Sequence, residues 1–160
     1  MSSIKNTTLS SEEEKKNRKK LLELYKRNPI GEKELIFTSS LFLKRQELSK
    51  ILFFNELYQK IIDIQGIIIE FGCRWGQNNL RGIYEPFNYN RRIIGFDSFQ
   101  GFLNIDLKDG TNEIISEGSL GVSENYEYYL LEILRLHEQE CPLPHIPKNF
   151  IKKGDAPIEL

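Results

Sequence analysis

Residues 67–76 read Ile-Ile-Ile-Glu-Phe-Gly-Cys-Arg-Trp-Gly. The run Ile67-Ile68-Ile69-Glu70-Phe71 is continuous and β-branched rather than alternating, which predicts a parallel strand covered on both faces. A glycine directly after a strand lets the backbone turn with no Cβ in the way and lets a ligand approach the main chain. Gly72 and Gly76 would bracket such a turn at the start of a helix. Arg92-Ile93-Ile94-Gly95-Phe96 is a second run of this kind, ending at Asp97; Asn149-Phe150-Ile151-Lys152-Lys153 is a weaker third, ending at Gly154-Asp155. A short helix fits between the first two strands. A long polar loop and a helix from Ser123 to Glu138 fit between the second and third. Alternating strands and helices predict an α/β fold built from βαβ units on a parallel sheet.

Upstream, Leu41, Leu48, Ile51, Leu52, Tyr58, Ile61 and Ile62 recur at three- and four-residue spacing, broken only by Asn55, which predicts an amphipathic helix over 41–62 stopped by Gly66. Residues 1–10 are polar and read as frayed. Ser11 with Glu14 forms a capping-box pattern ahead of a helix to about Arg27, and Asn28-Pro29 ends it. The basic run Lys15, Lys16, Arg18, Lys19, Lys20 follows Glu12 to Glu14, which suits the helix dipole and a solvated face. Residues 1–37 therefore read as a polar helical extension and residues 38–160 as one domain.

Composition narrows the function classes. The chain has 160 residues with 22 Lys+Arg against 23 Asp+Glu, and that near-neutral balance argues against nucleic acid as a partner. No stretch approaches the roughly 20 apolar residues of a membrane span, and the N-terminus lacks a signal-peptide core. Two cysteines, Cys73 and Cys141, in unlike contexts suit a reduced, cytoplasmic protein. His137, Cys141 and His145 lie four residues apart, but Pro142 and Pro144 break any helix that would align them, so they are not read as metal ligands. Cys73 has no histidine partner in the sequence around it and is not read as a nucleophile. Trp75 reads as a packing residue.

In open parallel sheets ligands bind outside the carboxyl ends of the strands, so the residues that follow each strand are the candidate site. The glycine spacing after the first strand is not the G-x-G-x-x-G of a dinucleotide fold, and no P-loop occurs. The second strand ends in Asp97-Ser98-Phe99-Gln100-Gly101. A carboxylate there can accept hydrogen bonds from both hydroxyls of a ribose, and Phe99 can offer apolar contact to a base.

Ile-Ile-Glu-Phe-Gly-Cys-Arg-Trp-Gly (68–76) together with Ile-Ile-Gly-Phe-Asp-Ser-Phe-Gln-Gly (93–101) resembles the S-adenosylmethionine-dependent O-methyltransferases of the macrocin O-methyltransferase (TylF) type. The first block is shared by many methyltransferases; the Asp-Ser-Phe-x-Gly block at this distance is more specific. The resemblance implies a partial Rossmann-like (class I methyltransferase) parallel sheet, limited to its first three strands, with N-terminal helices. It implies that Glu70, Gly72, Arg74 and Gly76, with Phe71 between them, frame the methionine end of the cofactor. Asp97, Ser98 and Gly101 would hold the ribose, Phe99 would lie near the base, and Asp155 would face the adenine edge. Gln100 stands where the family has an acid, Phe102-Leu103 where it has Leu-Pro, and Pro86 shortens the helix after the first loop. The family's divalent-metal (magnesium) aspartates follow the fourth and fifth strands, which are not in this chain, so no catalytic residue and no metal ligand is assigned. The family's strand order makes the first strand a bare edge, open to a complementary C-terminal segment or a second copy. The function expected is methyl transfer to a hydroxyl of a small molecule or sugar. A cofactor- or nucleoside-binding module without turnover is the alternative, and a coenzyme A transferase acting on a carnitine-like acceptor is a more distant one.

Overall fold

In a computed structural model of the chain, residues 10–77, 91–103, 105 and 115–154 are described. The expected short helix after the first loop, with Pro86, lies outside them, as does Asp155. Two compact units divide the chain at Leu52 and Phe53.

In the first unit, α1 spans Glu12–Lys26. Its capping box is formed: the Glu14 N–H donates to Ser11 Oγ at 3.2 Å and the Ser11 N–H donates to the Glu14 carboxylate at 2.9 Å. Asn28 closes the other end, its amide donating to the Tyr25 carbonyl at 2.6 Å while its Oδ1 accepts from Ile30 N–H at 3.0 Å. A single-turn helix, α2, follows at Glu32–Leu35. The helix expected from Leu41 starts later. Residues Ser39–Phe42 form a 3-10 helix, Leu43 is extended, and α3 runs from Arg45 to Ile61 across the boundary between the units. The Thr38 and Ser39 hydroxyls donate back to the carbonyls of Glu34 and Ile36 at 2.9 and 2.8 Å. Such side-chain bonds compete with the regular helical ladder, and apolar spacing does not register them.

In the second unit, β1 (Ile68–Phe71), β2 (Ile93–Asp97) and β3 (Asn149–Lys153) form a three-stranded parallel sheet in the order β1-β2-β3. This is the expected α/β architecture, with β2 central and, among the described residues, β1 at an edge. Ile68, Ile93 and Ile151 point to one face and join a core of Tyr58, Cys73, Phe99, Leu130 and Leu134. Ile69, Phe71, Ile94 and Phe150 point to the other. The continuous β-branched run predicts burial on both faces, but Ile69 stays 42% and Phe71 57% exposed. Composition records that both faces are apolar; on the second, Phe96 of the central strand is buried at 6% while the edge-strand residues Ile69 and Phe71 are not.

Between β2 and β3, α4 spans Tyr126–Gln139, three residues later than the sequence suggests, because Asn125 before it is left-handed (φ 60°). Its far end is tied to the sheet by Glu138, whose Oε1 accepts from Lys148 N–H, Asn149 N–H and Asn149 Nδ2 at 2.8, 2.6 and 2.9 Å. The end of α3 is capped from a distance. Arg91 Nη2 donates to the carbonyls of Ile61 and Ile64 at 2.8 and 2.7 Å, and its guanidinium lies 5.6 Å from the Tyr58 ring centre. No described helix is long and apolar enough to cross a membrane.

Candidate cofactor-binding site

The site is built on Asp97, the last residue of β2. Its Oδ1 accepts the Phe99 N–H at 2.6 Å, closing a tight turn, and its Oδ2 accepts the Arg74 N–H at 2.6 Å, tying that turn to the loop after β1. A carboxylate offers about four lone-pair sites, so each oxygen keeps acceptor capacity after these bonds. Ser98 repeats the device: its Oγ accepts from Gln100 N–H and donates to the Gly101 carbonyl, both at 3.2 Å.

Turns this tight need unusual backbone. Gly72 (φ 73°), Gly76 (φ 66°) and Gly101 (φ 86°) are left-handed at little cost, while Arg74 (φ 48°), Phe99 (φ 61°) and Leu120 (φ 65°) share that region at a cost of about 1–3 kcal/mol each. The two bonds to Asp97 offset part of that strain.

Each glycine has a different reason. A Cβ at Gly72 would meet nothing within 4 Å, so its surface is open to a ligand. At Gly76 it would meet Leu130 Cδ1 at 2.6 Å, which is helix packing. At Gly101 it would lie 2.3 Å from the Ser119 carbonyl oxygen and 2.7 Å from the backbone of Gly118 and Gly121. The loop over 118–121 is thus laid against the Asp97–Gly101 turn, held by Phe102 N–H to Ser119 O (3.1 Å) and Val122 N–H to Phe99 O (3.2 Å).

A cleft of about 440 Å³ opens at the carboxyl ends of β1 and β2. Gly72 and Arg74 line it from one loop, Asp97, Ser98 and Gly101 from the other. Phe96, Phe102, Leu103, Leu120 and Gly154 complete the wall. Arg74 Nε is buried with no hydrogen-bond partner among the described residues, and its guanidinium lies 5.7 Å from the Trp75 ring centre. An arginine nitrogen in that state carries an uncompensated desolvation cost.

Other expected residues stand elsewhere. Phe99 is 5% exposed within the core, so the apolar contact expected of it is not offered by the cleft; its left-handed backbone turns the ring inward toward Tyr126, with centroids 6.3 Å apart. Phe71 stacks on Phe96 at 5.5 Å outside the cleft lining, and Glu70 sits in register with Gly95 within the sheet. Trp75 packs edge-on against Tyr126 at 4.8 Å, and the Tyr126 hydroxyl donates to the Trp75 carbonyl at 3.2 Å. Cys73 is buried, and its thiol is pushed up to about 12, first by burial and then by the charges of Asp97 and Glu70. Burial and both charges disfavour its thiolate, the reactive form of a cysteine. Phe102, Leu103, Leu120 and Gly154 were not legible as site residues. The two glycines of Gly-Ser-Leu-Gly (118–121), inside a segment read only as polar loop, were the available signal.

A parallel sheet in this order, with paired loops enclosing a cleft at the ends of its first two strands, is the methyltransferase form of the Rossmann-like α/β fold. The particular likeness is to CalS11. The chain superposes on a crystal structure described as CalS11, calicheamicin methyltransferase, with a TM-score of 0.84 and 33% identity over 97% of this chain and 63% of that one. It superposes on the apo structure of CalS11, there described as a TDP-rhamnose 3'-O-methyltransferase of calicheamicin biosynthesis, with a TM-score of 0.71 and 32% identity over 96% of this chain and 61% of that one. The chain thus spans about three-fifths of the length of these structures. No protein-family model and no curated protein sequence matches it.

Proposed function

We propose that this chain binds S-adenosylmethionine and forms the cofactor-binding part of a cytoplasmic O-methyltransferase whose acceptor is a small molecule, with a sugar hydroxyl as the favoured class. The observation that carries this is the cleft joining the Gly72–Arg74 loop to the Asp97–Gly101 turn. Support for the sugar comes from the neighbour described as a TDP-rhamnose 3'-O-methyltransferase. The residues fit the cofactor. Asp97 retains lone pairs for the ribose hydroxyls, Gly72 leaves its face open, and Arg74, which lines the cleft, offers a cation for the carboxylate of the methionine end. The cofactor supplies an electrophilic sulfonium methyl for displacement by an acceptor oxygen. This chain's own residues orient the cofactor and exclude water beside Phe96, Phe102 and Leu103. Among the described residues no group of three or more His, Cys, Asp and Glu side chains converges, so the described part does not fit a divalent metal and no step is derived through one.

A thermal-shift titration with S-adenosylmethionine, S-adenosylhomocysteine and coenzyme A tests the reading. Ligand at about 100 times its dissociation constant should add about 2.7 kcal/mol of stability. The adenosylated sulfur compounds should raise the melting temperature, coenzyme A should not, and Asp97→Asn should abolish the shift. Because Asp97 also accepts two backbone N–H groups, the readout in the variant is the shift on adding ligand rather than its own melting temperature. A shift with coenzyme A alone would overturn the reading. Transfer of labelled methyl to a nucleotide sugar separates an enzyme from a binding module.

A further inference from the structure

The apolar part of the cleft comes mainly from residues that neither strand-end motif contains. Phe102 and Leu103 follow Gly101, and Leu120 is brought in by the 118–121 loop. That loop is seated where a Cβ on Gly101 would collide with backbone atoms at 2.3 to 2.7 Å. The approach is therefore set by main chain against main chain, and it leaves Leu120 half-buried in the left-handed region at φ 65°. A branched apolar residue is poorly suited to that conformation, and glycine or asparagine would hold it with less strain. A leucine that lines a cleft from a strained position suggests that its side chain has a use there.

The polar lining is distributed unevenly. Gly72 and Arg74 come from the β1 loop, and Asp97 and Ser98 from the end of β2. Leu120, Phe102 and Leu103 all belong to the chain after Asp97, while Phe99, next to it in sequence, is turned into the core. With a ribose at Asp97 and a charged amino-acid end at Arg74, the remaining flat apolar group of the ligand meets the Leu120 side.

We infer that Leu120, carried by the loop docked on Gly101, is a specificity-determining residue that forms the apolar wall against the nucleobase of the bound ligand. This rests on the cofactor reading above. It concerns which residue receives the base, a role the sequence had given to Phe99.

The test uses the full chain with adenosine and S-adenosylhomocysteine as titrants in calorimetry, comparing wild type with Leu120→Gly and Leu120→Asn. Both replacements tolerate the left-handed backbone, which offsets the packing lost with the leucine, so each variant should keep a cooperative melt. Removing a buried leucine contact should weaken binding by about tenfold or more, by the same factor for both titrants, since both carry the base. Weakening of S-adenosylhomocysteine with adenosine unaffected would put Leu120 against the amino-acid end and overturn the inference. Unchanged affinity for both would overturn it while leaving the cofactor reading in place. A wild-type chain that binds neither compound would overturn the cofactor reading and the inference together.

Discussion

Single atoms decide much of this site. The Cys73 thiol, held at about 12, will not ionise at ordinary pH. Iodoacetamide at pH 8 should therefore label the native chain once, at half-buried Cys141, and twice in urea, as counted by mass spectrometry. Two native labels would show that Cys73 is accessible. The glycines differ in what opposes them. At Gly76 a new methyl meets the end of the Leu130 side chain, which can shift, whereas at Gly101 it meets backbone, which cannot. Gly76→Ala should cost about 2 kcal/mol and Gly101→Ala about 3–4 kcal/mol in urea unfolding. Equal costs would mean that the 118–121 loop yields easily. Asp97 was legible in sequence as a candidate site residue at the end of β2, where it lines the cleft. The turn to the Phe99 N–H, two residues on, is local, but the Arg74 N–H arrives from 23 residues away and no local pattern records it.

At the scale of elements, α3 ends on a cation that lies far along the chain. Arg91 Nη2 serves the carbonyls of Ile61 and Ile64, so Arg91→Met should cost about 1–3 kcal/mol, read by urea unfolding with the refolded variant's helicity as a control. The start of α4 is tied to the end of β3 by an ion pair between buried Glu127 and exposed Lys153. The hydrogen bond from Lys153 is the main cause that holds the Glu127 carboxyl below the ordinary 4.5, against the opposing effect of burial. A depressed carboxyl contributes stability that is present above the unfolded value and lost as pH falls through the folded one. Wild type should therefore lose stability more steeply below about pH 4.5 than Glu127→Gln, whose acid limb should be flatter. Parallel limbs would remove the pair from the acid response. The strands, and α1 with its capping box, were legible as elements because their signals are local. The start of α3 was not, since Ser39–Phe42 closes as a 3-10 helix and Leu43 is extended, a break that apolar spacing reaching back to Leu41 does not record.

For the whole molecule, the edge strand β1 and the apolar face of Ile69 and Phe71 leave surface that an isolated chain in water tends to cover. We expect the average mass in sedimentation equilibrium to rise with concentration, and Ile69→Lys to suppress that rise. A wild type that stays monomeric at all concentrations would mean that this face is covered in another way. The sequence alone determined the parallel α/β fold, the β1-β2-β3 neighbours implied by resemblance, and the paired loops at Gly72 and Asp97. Each of these is written in short runs whose period, turn residues or motif act over a few positions. Only the tertiary structure decided which side chains face the cleft. Phe99 turns inward, and Leu120 enters from a loop about twenty residues on, because a missing Cβ at Gly101 lets two stretches of backbone meet. Orientation of that kind depends on contacts between distant segments, and no local pattern records it.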